Sequence, residues 1–170
     1  MRFGLLIYGQ LADQSGGYLY DRRLVEHLRA HGHQVDIISL PWRSYARHLA
    51  DNLDQSLYRR LRDLDVDILL QDELNHSSLF DINSRLRDSV GYPIISIVHH
   101  LRSSEQHPAA LLPLYRAVER RYLRSVDGFI FNSATTQRVV NDLLGAQKPG
   151  VVAMPAGARL GADISEGDIR

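Results

Sequence analysis

The sequence has 170 residues, of which 44% are hydrophobic and 24% are charged, close to the averages of globular proteins. Lys plus Arg and Asp plus Glu number 20 each, so no net charge draws the chain to nucleic acid. Cysteine is absent, which excludes a disulfide framework, a thiolate nucleophile and cysteine-ligated zinc. The N-terminal run FGLLIY is too short for a membrane span and lacks a cleavage site. We therefore expect one cytoplasmic domain with a real core.

The chain alternates between two kinds of segment. Six apolar runs are typical of buried β-strands: RFGLLIY, QVDIISL, VDILLQ, PIISIVHH, DGFIFNS and GVVAMP. Most of the intervening segments have the apolar spacing of amphipathic helices. Their stripes are Tyr20, Leu24 and Leu28, then Leu49, Leu53, Leu57 and Leu61, then Leu111, Leu114, Tyr115, Val118 and Tyr122. This alternation predicts a doubly wound, Rossmann-like α/β domain, in which a parallel sheet carries helices on both faces.

The last part of the chain differs in composition from the rest. Residues 156–170 are rich in Gly, Ala and acidic residues and have few large apolar side chains. We predict a domain over residues 1–155, followed by the start of an interdomain linker. On this interpretation a C-terminal domain lies outside the chain.

Polar and small residues crowd the segments that follow the predicted strands. These segments read GQLADQSGG, QDELNHSS, HHLRSSEQH, NSATT and PAG. Ligands of open α/β sheets bind outside the carboxyl ends of the strands, near the point where the strand order reverses. We therefore expect the functional site in these segments.

The first segment contains a glycine pair just before a predicted helix. Free N–H groups at a helix start favour an anion, so Gly16 and Gly17 are candidate anion-binding residues. Their spacing matches no standard phosphate-binding fingerprint. The alternative is a tight turn that needs positive φ, with Ser15 as the N-cap of the helix.

Two histidines end the fourth predicted strand. His99 and His100 should point to opposite faces, and either could bind a sugar hydroxyl or a phosphate, or move a proton. The alternative is a structural, hydrogen-bonded histidine. We do not expect zinc, because no third ligand has a convincing spacing, although His76 and His107 remain conceivable ligands.

Acidic residues follow the third predicted strand. Asp72 and Glu73, with His76, could orient hydroxyl groups or act as a base. Asp72 could equally cap the following helix. Ser133, in NSATTQRVV, is predicted to cap the sixth helix.

The segment WRSYARHLADNLDQSLYRRLRDL combines arginines, aromatic residues and a leucine stripe. Such a segment could contact an anionic membrane surface. Because aspartates interleave the arginines, we favour packing of the stripe against the sheet.

In order and spacing, these patterns resemble the N-terminal domain of GT-B glycosyltransferases of family 4, which are retaining and use nucleotide sugars. SGGYLYDRRLVEHLRAHGHQVDIISL resembles the family's glycine loop, first helix and second strand. YPIISIVHH resembles the strand that ends in the family's active-site histidine. VERRYLRSVDGFIFNSATTQRVV resembles its serine-capped helix, and GVVAMPAGARLG resembles the connection to the second domain.

The resemblance implies transfer of a sugar from a nucleoside-diphosphate sugar to an acceptor hydroxyl, with no cofactor and no required metal. It implies that His99 contacts the transferring sugar and that Gly16, Gly17 and Ser133 lie near the donor phosphates. Acceptor binding is implied at Asp72, Glu73, His76 and His100, and an interdomain hinge at Pro155 and Gly157. Many relatives have an H-x-H-like element where this chain reads LQD, with Asp72 at the second histidine's place.

Further partners and alternatives follow from the same patterns. The expected partners are the two substrates and the chain's own C-terminal domain, with no nucleic acid. One alternative function is a non-enzymatic, flavodoxin-like or periplasmic-type binding module. Another is a different GT-B sugar enzyme, such as an epimerase or an inverting transferase.

Overall fold

A computed structural model describes residues 1–13 and 15–155 of the protein. The predicted hinge residue Gly157 and the predicted linker, residues 156–170, lie outside the described residues.

The described part of the chain contains a six-stranded parallel sheet. The strands are β1 (Arg2–Tyr8), β2 (Gln34–Leu40), β3 (Ile68–Asp72), β4 (Ile94–Val98), β5 (Gly128–Phe131) and β6 (Gly150–Val152). Their order in the sheet is β2-β1-β3-β4-β5-β6. The chain moves outward from β1 to β2 and then returns to place β3 on the other side of β1. The strand order therefore reverses between β1 and β3.

Six α-helices connect these strands. They are α1 (Gly16–Ala30), α2 (Tyr45–Asp51), α3 (Gln55–Arg62), α4 (His76–Leu86), α5 (Leu112–Ser125) and α6 (Ala134–Leu144). A short 3₁₀ turn, Glu73–Asn75, leads from β3 directly into α4. Strands alternate with helices in a Rossmann-like α/β fold, as the sequence predicts.

Two hydrophobic cores lie on opposite faces of the sheet. On one face, Tyr18 and Val25 of α1 pack against strand residues such as Leu5 and Ile97. On the other face, buried side chains of α3, α4, α5 and α6 pack against alternate strand residues such as Leu6 and Val98. Neighbouring residues of a strand therefore serve different cores, because side chains alternate across a sheet. This explains why strands buried on both faces have nearly continuous apolar sequences.

The predicted leucine stripe from Leu49 to Leu61 does not lie on one helix. The chain leaves the helical path after α2, and Asp54 starts α3 by accepting hydrogen bonds from the backbone N–H groups of Ser56 and Leu57. Leu57 and Leu61 pack into the core, but Leu53 lies in the break and is 78% exposed. The second half of the stripe packs on the sheet, as expected, whereas Leu49 is only half-buried and Leu53 is exposed.

The other two stripes are displaced from the positions that periodicity predicts. In α1 the fully buried residues are Tyr18, Asp21 and Val25, whereas Tyr20, Leu24 and Leu28 are only half-buried. In the third stripe Tyr115, Val118 and Tyr122 are buried, but Leu111 and Leu114 are exposed. The buried positions of α1 therefore include a carboxylate that an apolar pattern cannot reveal.

None of the helices within residues 1–13 and 15–155 has the length and apolar character needed to cross a membrane.

The break between α2 and α3 can be tested with two leucines of the same predicted stripe. Leu61 is fully buried, so Leu61→Ala should lower the free energy of unfolding by about 2–5 kcal/mol. Leu53→Ala should change it by less than about 0.5 kcal/mol, because Leu53 is exposed. Urea unfolding of both variants measures the difference. Equal losses would show that one continuous helix buries both leucines.

Candidate active site

The carboxyl ends of β1, β3 and β4 meet where the strand order reverses. Asp72, the last residue of β3, pairs in register with Ile97 of β4, so the residues that follow both strands lie side by side. The start of α1, which follows the β1 loop, faces the same edge. The predicted site residues Gly17, Asp72, Glu73 and His99 therefore lie close together, although they are far apart in the sequence.

The glycine pair is the helical start of α1 and not a turn with positive φ. Ser15 is the N-cap, and its Oγ accepts a hydrogen bond from the Tyr18 backbone N–H across 3.1 Å. The left-handed conformation in this loop belongs to Gly9, whose φ is +60°. A side chain at Gly9 would collide with the Asp13 carboxylate. The N-cap expectation is confirmed, and the positive-φ alternative for Gly16 and Gly17 is wrong.

The His99 imidazole packs directly on the backbone of Gly17. A Cβ atom added at Gly17 would lie 3.1 Å from Cδ2 of His99, so any other residue would push the ring back by a few tenths of an ångström. Nε2 of His99 donates a hydrogen bond to Oδ1 of Asp21 across 3.2 Å. The Tyr20 ring meets His99 edge-on, with the ring centroids 5.2 Å apart. Three residues of α1 therefore fix the orientation of His99.

Asp72 lies close to this histidine and is fully shielded from solvent. One oxygen each of Asp21 and Asp72 and a ring nitrogen of His99 lie within 4.8 Å of one another. Burial and the charge of Asp21 raise the pKa of Asp72 to about 7, against the opposing charge of His99. Burial alone would lower the pKa of His99, but the Asp21 hydrogen bond and the charges of Asp72 and Asp21 raise it overall. The pKa values of Asp72 and His99 are therefore both raised by this arrangement.

His100 and Glu73 belong to the opposite side of the sheet edge. Nε2 of His100 donates to Oε1 of the exposed Glu105 across 2.7 Å. Glu73 lies beside His76 and Glu119, with an oxygen of each carboxylate and a ring nitrogen of His76 within 4.8 Å of one another. The two histidines thus diverge, as strand alternation predicts, and so do Asp72 and Glu73.

Burial disfavours the charged forms of this second group. Burial, followed by the charges of Asp72 and Glu119, raises the pKa of Glu73 well above its ordinary value. Burial lowers the pKa of His76 to about 4. Nδ1 of His76 donates to the Glu73 carbonyl across 3.0 Å, which leaves Nε2 as an acceptor facing the Tyr45 hydroxyl at 3.4 Å.

A cavity of about 200 Å³ opens beside this second group, and we call it the aromatic pocket. It is lined by Tyr8, Trp42, Arg43, Tyr45, His48, Glu73, Leu74, His76, Ser77, His100, Arg102 and Glu105. Three of the four predicted acceptor-binding residues, Glu73, His76 and His100, line it. The fourth, Asp72, is not part of its wall and lies nearer to His99.

The remaining predicted site residues lie at the edge of this candidate site. Ser133 caps α6, and its Oγ accepts from the Thr136 backbone N–H across 3.1 Å, as predicted. The Thr136 hydroxyl in turn donates to the His99 carbonyl across 3.3 Å. The Tyr20 hydroxyl donates to the Ala153 carbonyl across 2.9 Å, two residues before the exposed Pro155.

Among the described residues, two clusters of carboxylates and histidines have the spacing needed to ligate a metal ion. They are Asp21, Asp72 and His99, and Glu73, His76 and Glu119. In each cluster, carboxylate oxygens complete a set of three ligands, which the spacing of the residues in the sequence did not reveal. His107 belongs to neither group and lies 3.4 Å from Glu105.

Sequence reasoning missed several residues of the site, most importantly Asp21 and Arg102. Asp21 follows Gly17 by one helical turn. That spacing could have predicted a carboxylate on the same face of the helix as the glycine loop. Arg102, which lines the aromatic pocket next to Tyr45, stands in a loop segment with no periodicity. No local pattern distinguishes Arg102 from the other arginines.

A family model described as Glycosyltransferase Family 4 matches residues 41–158, more than half of the chain. The chain belongs to this family. The match supports the GT-B, N-terminal type of domain that the sequence resembles, and the Rossmann-like sheet is the corresponding fold. Comparison with curated proteins gave no match. Membership of this family implies a sugar donor and an acceptor as substrates in general.

The two glycines provide a matched test of the His99 environment. Gly17→Ala should displace the His99 ring and weaken its Asp21 hydrogen bond, because the new methyl group would press on Cδ2. Gly16→Ala should leave the ring in place, because no described atom lies within 4 Å of a Cβ at Gly16. Imidazole ¹H–¹⁵N correlation spectra report both. A spectrum of Gly17→Ala in which the His99 signals are unchanged would disprove the contact.

The pKa of Asp72 predicts how stability depends on pH. The folded pKa of about 7 exceeds the unfolded value of roughly 3.9, so the folded state keeps a proton that the unfolded state releases. Stability from this group is complete below about pH 4 and is lost as the pH rises towards 7. Asp72→Asn should remove this loss, so its free energy of unfolding relative to wild type should increase across that range.

Chemical denaturation between pH 4 and pH 8 measures this difference, which should amount to about 1.4 kcal/mol for each unit of pKa shift. Asp88→Asn, on the surface, is the control and should retain the wild-type pH profile. A constant difference between Asp72→Asn and wild type across the range would contradict the raised pKa.

Proposed function

We propose that this chain is the acceptor-side domain of a retaining glycosyltransferase. The full-length enzyme would transfer a sugar from a nucleoside-diphosphate sugar to an acceptor hydroxyl. The contact between the His99 ring and the Gly17 backbone carries the proposal, because it joins the two family-like motifs at the point where the strand order reverses. The family match supports glycosyl transfer in general.

The start of α1 would accept the charge of the donor's diphosphate. Its first turn contains no acidic residue, so the positive end of the helix dipole is not offset locally. No atom of the described residues lies within 4 Å of a Cβ placed at Gly16, which leaves space there for a ligand to approach. N–H groups at such a helix start can stabilise the negative charge that develops on the departing nucleoside diphosphate.

His99 would contact the transferring sugar from the same side. Its Nε2 is engaged by Asp21, so Nδ1 is the nitrogen left for a substrate. The raised pKa of His99 favours the imidazolium, which would add positive charge beside the departing diphosphate. Asp72 would act through His99 rather than on the acceptor, because it is shielded from solvent.

The acceptor would occupy the aromatic pocket on the other side of the sheet edge. There the Glu73 carboxyl, the His76 ring and the His100 ring present hydrogen-bonding groups to a cavity. A C-terminal domain would supply the other wall of the donor site. It would close over both sides of the sheet edge about a hinge at Pro155 and Gly157. The proposal requires no metal and no cofactor, and it places the enzyme in the cytoplasm.

Replacement of His99 tests its catalytic role. In a full-length protein that carries this domain, His99→Ala should lower kcat by about 100-fold or more, because a group in contact with the reacting sugar is lost. Release of nucleoside diphosphate in the presence of acceptor measures the rate. His27→Ala, on the exposed surface of α1, is the control. Near-normal turnover by His99→Ala would remove His99 from the mechanism.

The need for a second domain is tested with the chain alone. The 170 residues should bind nucleotide sugars weakly and catalyse neither transfer nor donor hydrolysis, because only one wall of the donor site is present. Thermal-shift measurements with UDP-, GDP- and ADP-sugars, combined with a turnover assay, examine both points. Measurable turnover by the chain alone would overturn the two-domain proposal, and tight binding of another ligand would favour a non-enzymatic module.

A further inference from the structure

The aromatic pocket has the dimensions and walls of a small sugar site. Its volume of about 200 Å³ lies below the roughly 300–1,000 Å³ typical of drug-sized ligands, which favours a monosaccharide unit. The Trp42 ring lies at its mouth, 56% exposed, with its centroid 5.0 Å from that of Tyr8. Exposed aromatic faces of this kind suit the C–H faces of a sugar ring, while the phenol and indole edges remain able to form hydrogen bonds.

Most of the charged groups around this pocket already have partners. The Arg43 guanidinium forms an ion pair with Asp51 at 2.7 Å. Glu105 is bound by His100 at 2.7 Å and lies 3.4 Å from His107. The charge of Arg43 is thus balanced within the protein, and Glu105 is held by a hydrogen bond from His100.

Arg102 is the exception. Of the residues that the structure describes, none places a carboxylate oxygen within ion-pair distance of its guanidinium. The guanidinium lies over two aromatic rings instead, 5.1 Å from the Tyr45 centroid and 4.9 Å from the Tyr115 centroid. Its Nε is shielded from solvent and has no hydrogen-bond partner among the described residues. Stacking on two rings fixes the position of the cation without neutralising it.

The nearby carboxyl on the pocket wall is buried and makes no hydrogen bond of its own. Glu73 is 1% exposed, and neither of its carboxyl oxygens has a hydrogen-bond partner among the described residues. A carboxyl group in this position can form hydrogen bonds with a hydroxyl group of a ligand. His76 lies beside it, with a ring nitrogen within 4.8 Å of a Glu73 carboxyl oxygen. The pocket therefore combines buried hydrogen-bonding groups with a guanidinium that forms no ion pair with a described residue.

We propose that the aromatic pocket binds an acceptor sugar that carries an anionic group, a phosphate or a carboxylate, which pairs with the Arg102 guanidinium. The sugar ring lies against Trp42, and Glu73 and His76 hold its hydroxyl groups. The planar guanidinium suits both anions, because it binds phosphate and carboxylate oxygens in pairs. This inference rests on the proposed function only in identifying the bound sugar as the acceptor.

The chain contains a single tryptophan, Trp42, so its fluorescence reports on this pocket alone. We would titrate the chain with glucose, glucose 6-phosphate, glucuronate and inorganic phosphate. Glucose 6-phosphate or glucuronate should bind at least about tenfold more tightly than glucose, as expected for a charge-assisted hydrogen bond. Whichever of these two sugars binds more tightly identifies the preferred anion. Inorganic phosphate should bind more weakly than glucose 6-phosphate.

Variants of Arg102 test the assignment of the cation. Arg102→Gln should abolish the preference for the charged sugar while leaving weak glucose binding in place, and Arg102→Lys should retain part of it. Arg85→Gln is the matched control, because the Arg85 guanidinium also stacks on a tyrosine, Tyr58 at 4.2 Å, but does not line the pocket. Circular dichroism verifies that each variant is folded.

Equal affinity for glucose and both charged sugars would overturn the inference, as would an unchanged preference in Arg102→Gln and Arg102→Lys. A response to inorganic phosphate as strong as that to glucose 6-phosphate would also overturn it, because the sugar would then contribute nothing. These outcomes are independent of the transfer assay of the full-length protein. Failure of that assay, with charge-selective binding intact, would reject the proposed function and not the pocket's ligand class.

Discussion

The site depends on one constraint, the in-register parallel pairing of β3 with β4 beside β1. Parallel strands end at the same edge, so this pairing brings together polar residues that the sequence separates widely. It also removes them from water, because helices and loops cover the sheet edge. Asp72 and Glu73 stand at the end of β3 with almost no exposed surface. Their chemistry is therefore set by neighbours and not by solvent.

The side-chain directions at the end of β3 divide these groups into two sets. Asp72 lies with His99 and Asp21, where burial and the charge of Asp21 raise the pKa of Asp72 to about 7. Glu73, the first residue of the 3₁₀ turn after β3, lies with His76, where burial raises the pKa of the carboxyl and lowers the pKa of the imidazole. Two residues that are adjacent in the sequence thus have different surroundings, because they face different sides of the sheet edge.

The first helix links this chemistry to the rest of the chain. Gly17 accepts the face of the His99 ring, Asp21 binds its nitrogen, and Tyr20 contacts its edge. The Tyr20 hydroxyl also reaches the Ala153 carbonyl, shortly before the described part of the chain ends. One turn of helix thereby connects the histidine to the residues that follow β6.

The sequence by itself determined the strands, the alternation with helices, the N-cap residues and the gathering of polar residues at the strand ends. These features depend on local periodicity, on turn chemistry and on the fixed geometry of parallel sheets. It could not determine that the leucine stripe breaks at Leu53, or that Asp21 rather than a nearer residue holds His99. Nor could it show that the Arg102 guanidinium stacks on two tyrosines and forms no ion pair with a described residue. Those features were decided by the tertiary structure, because burial and pairing depend on which distant side chains pack around a residue.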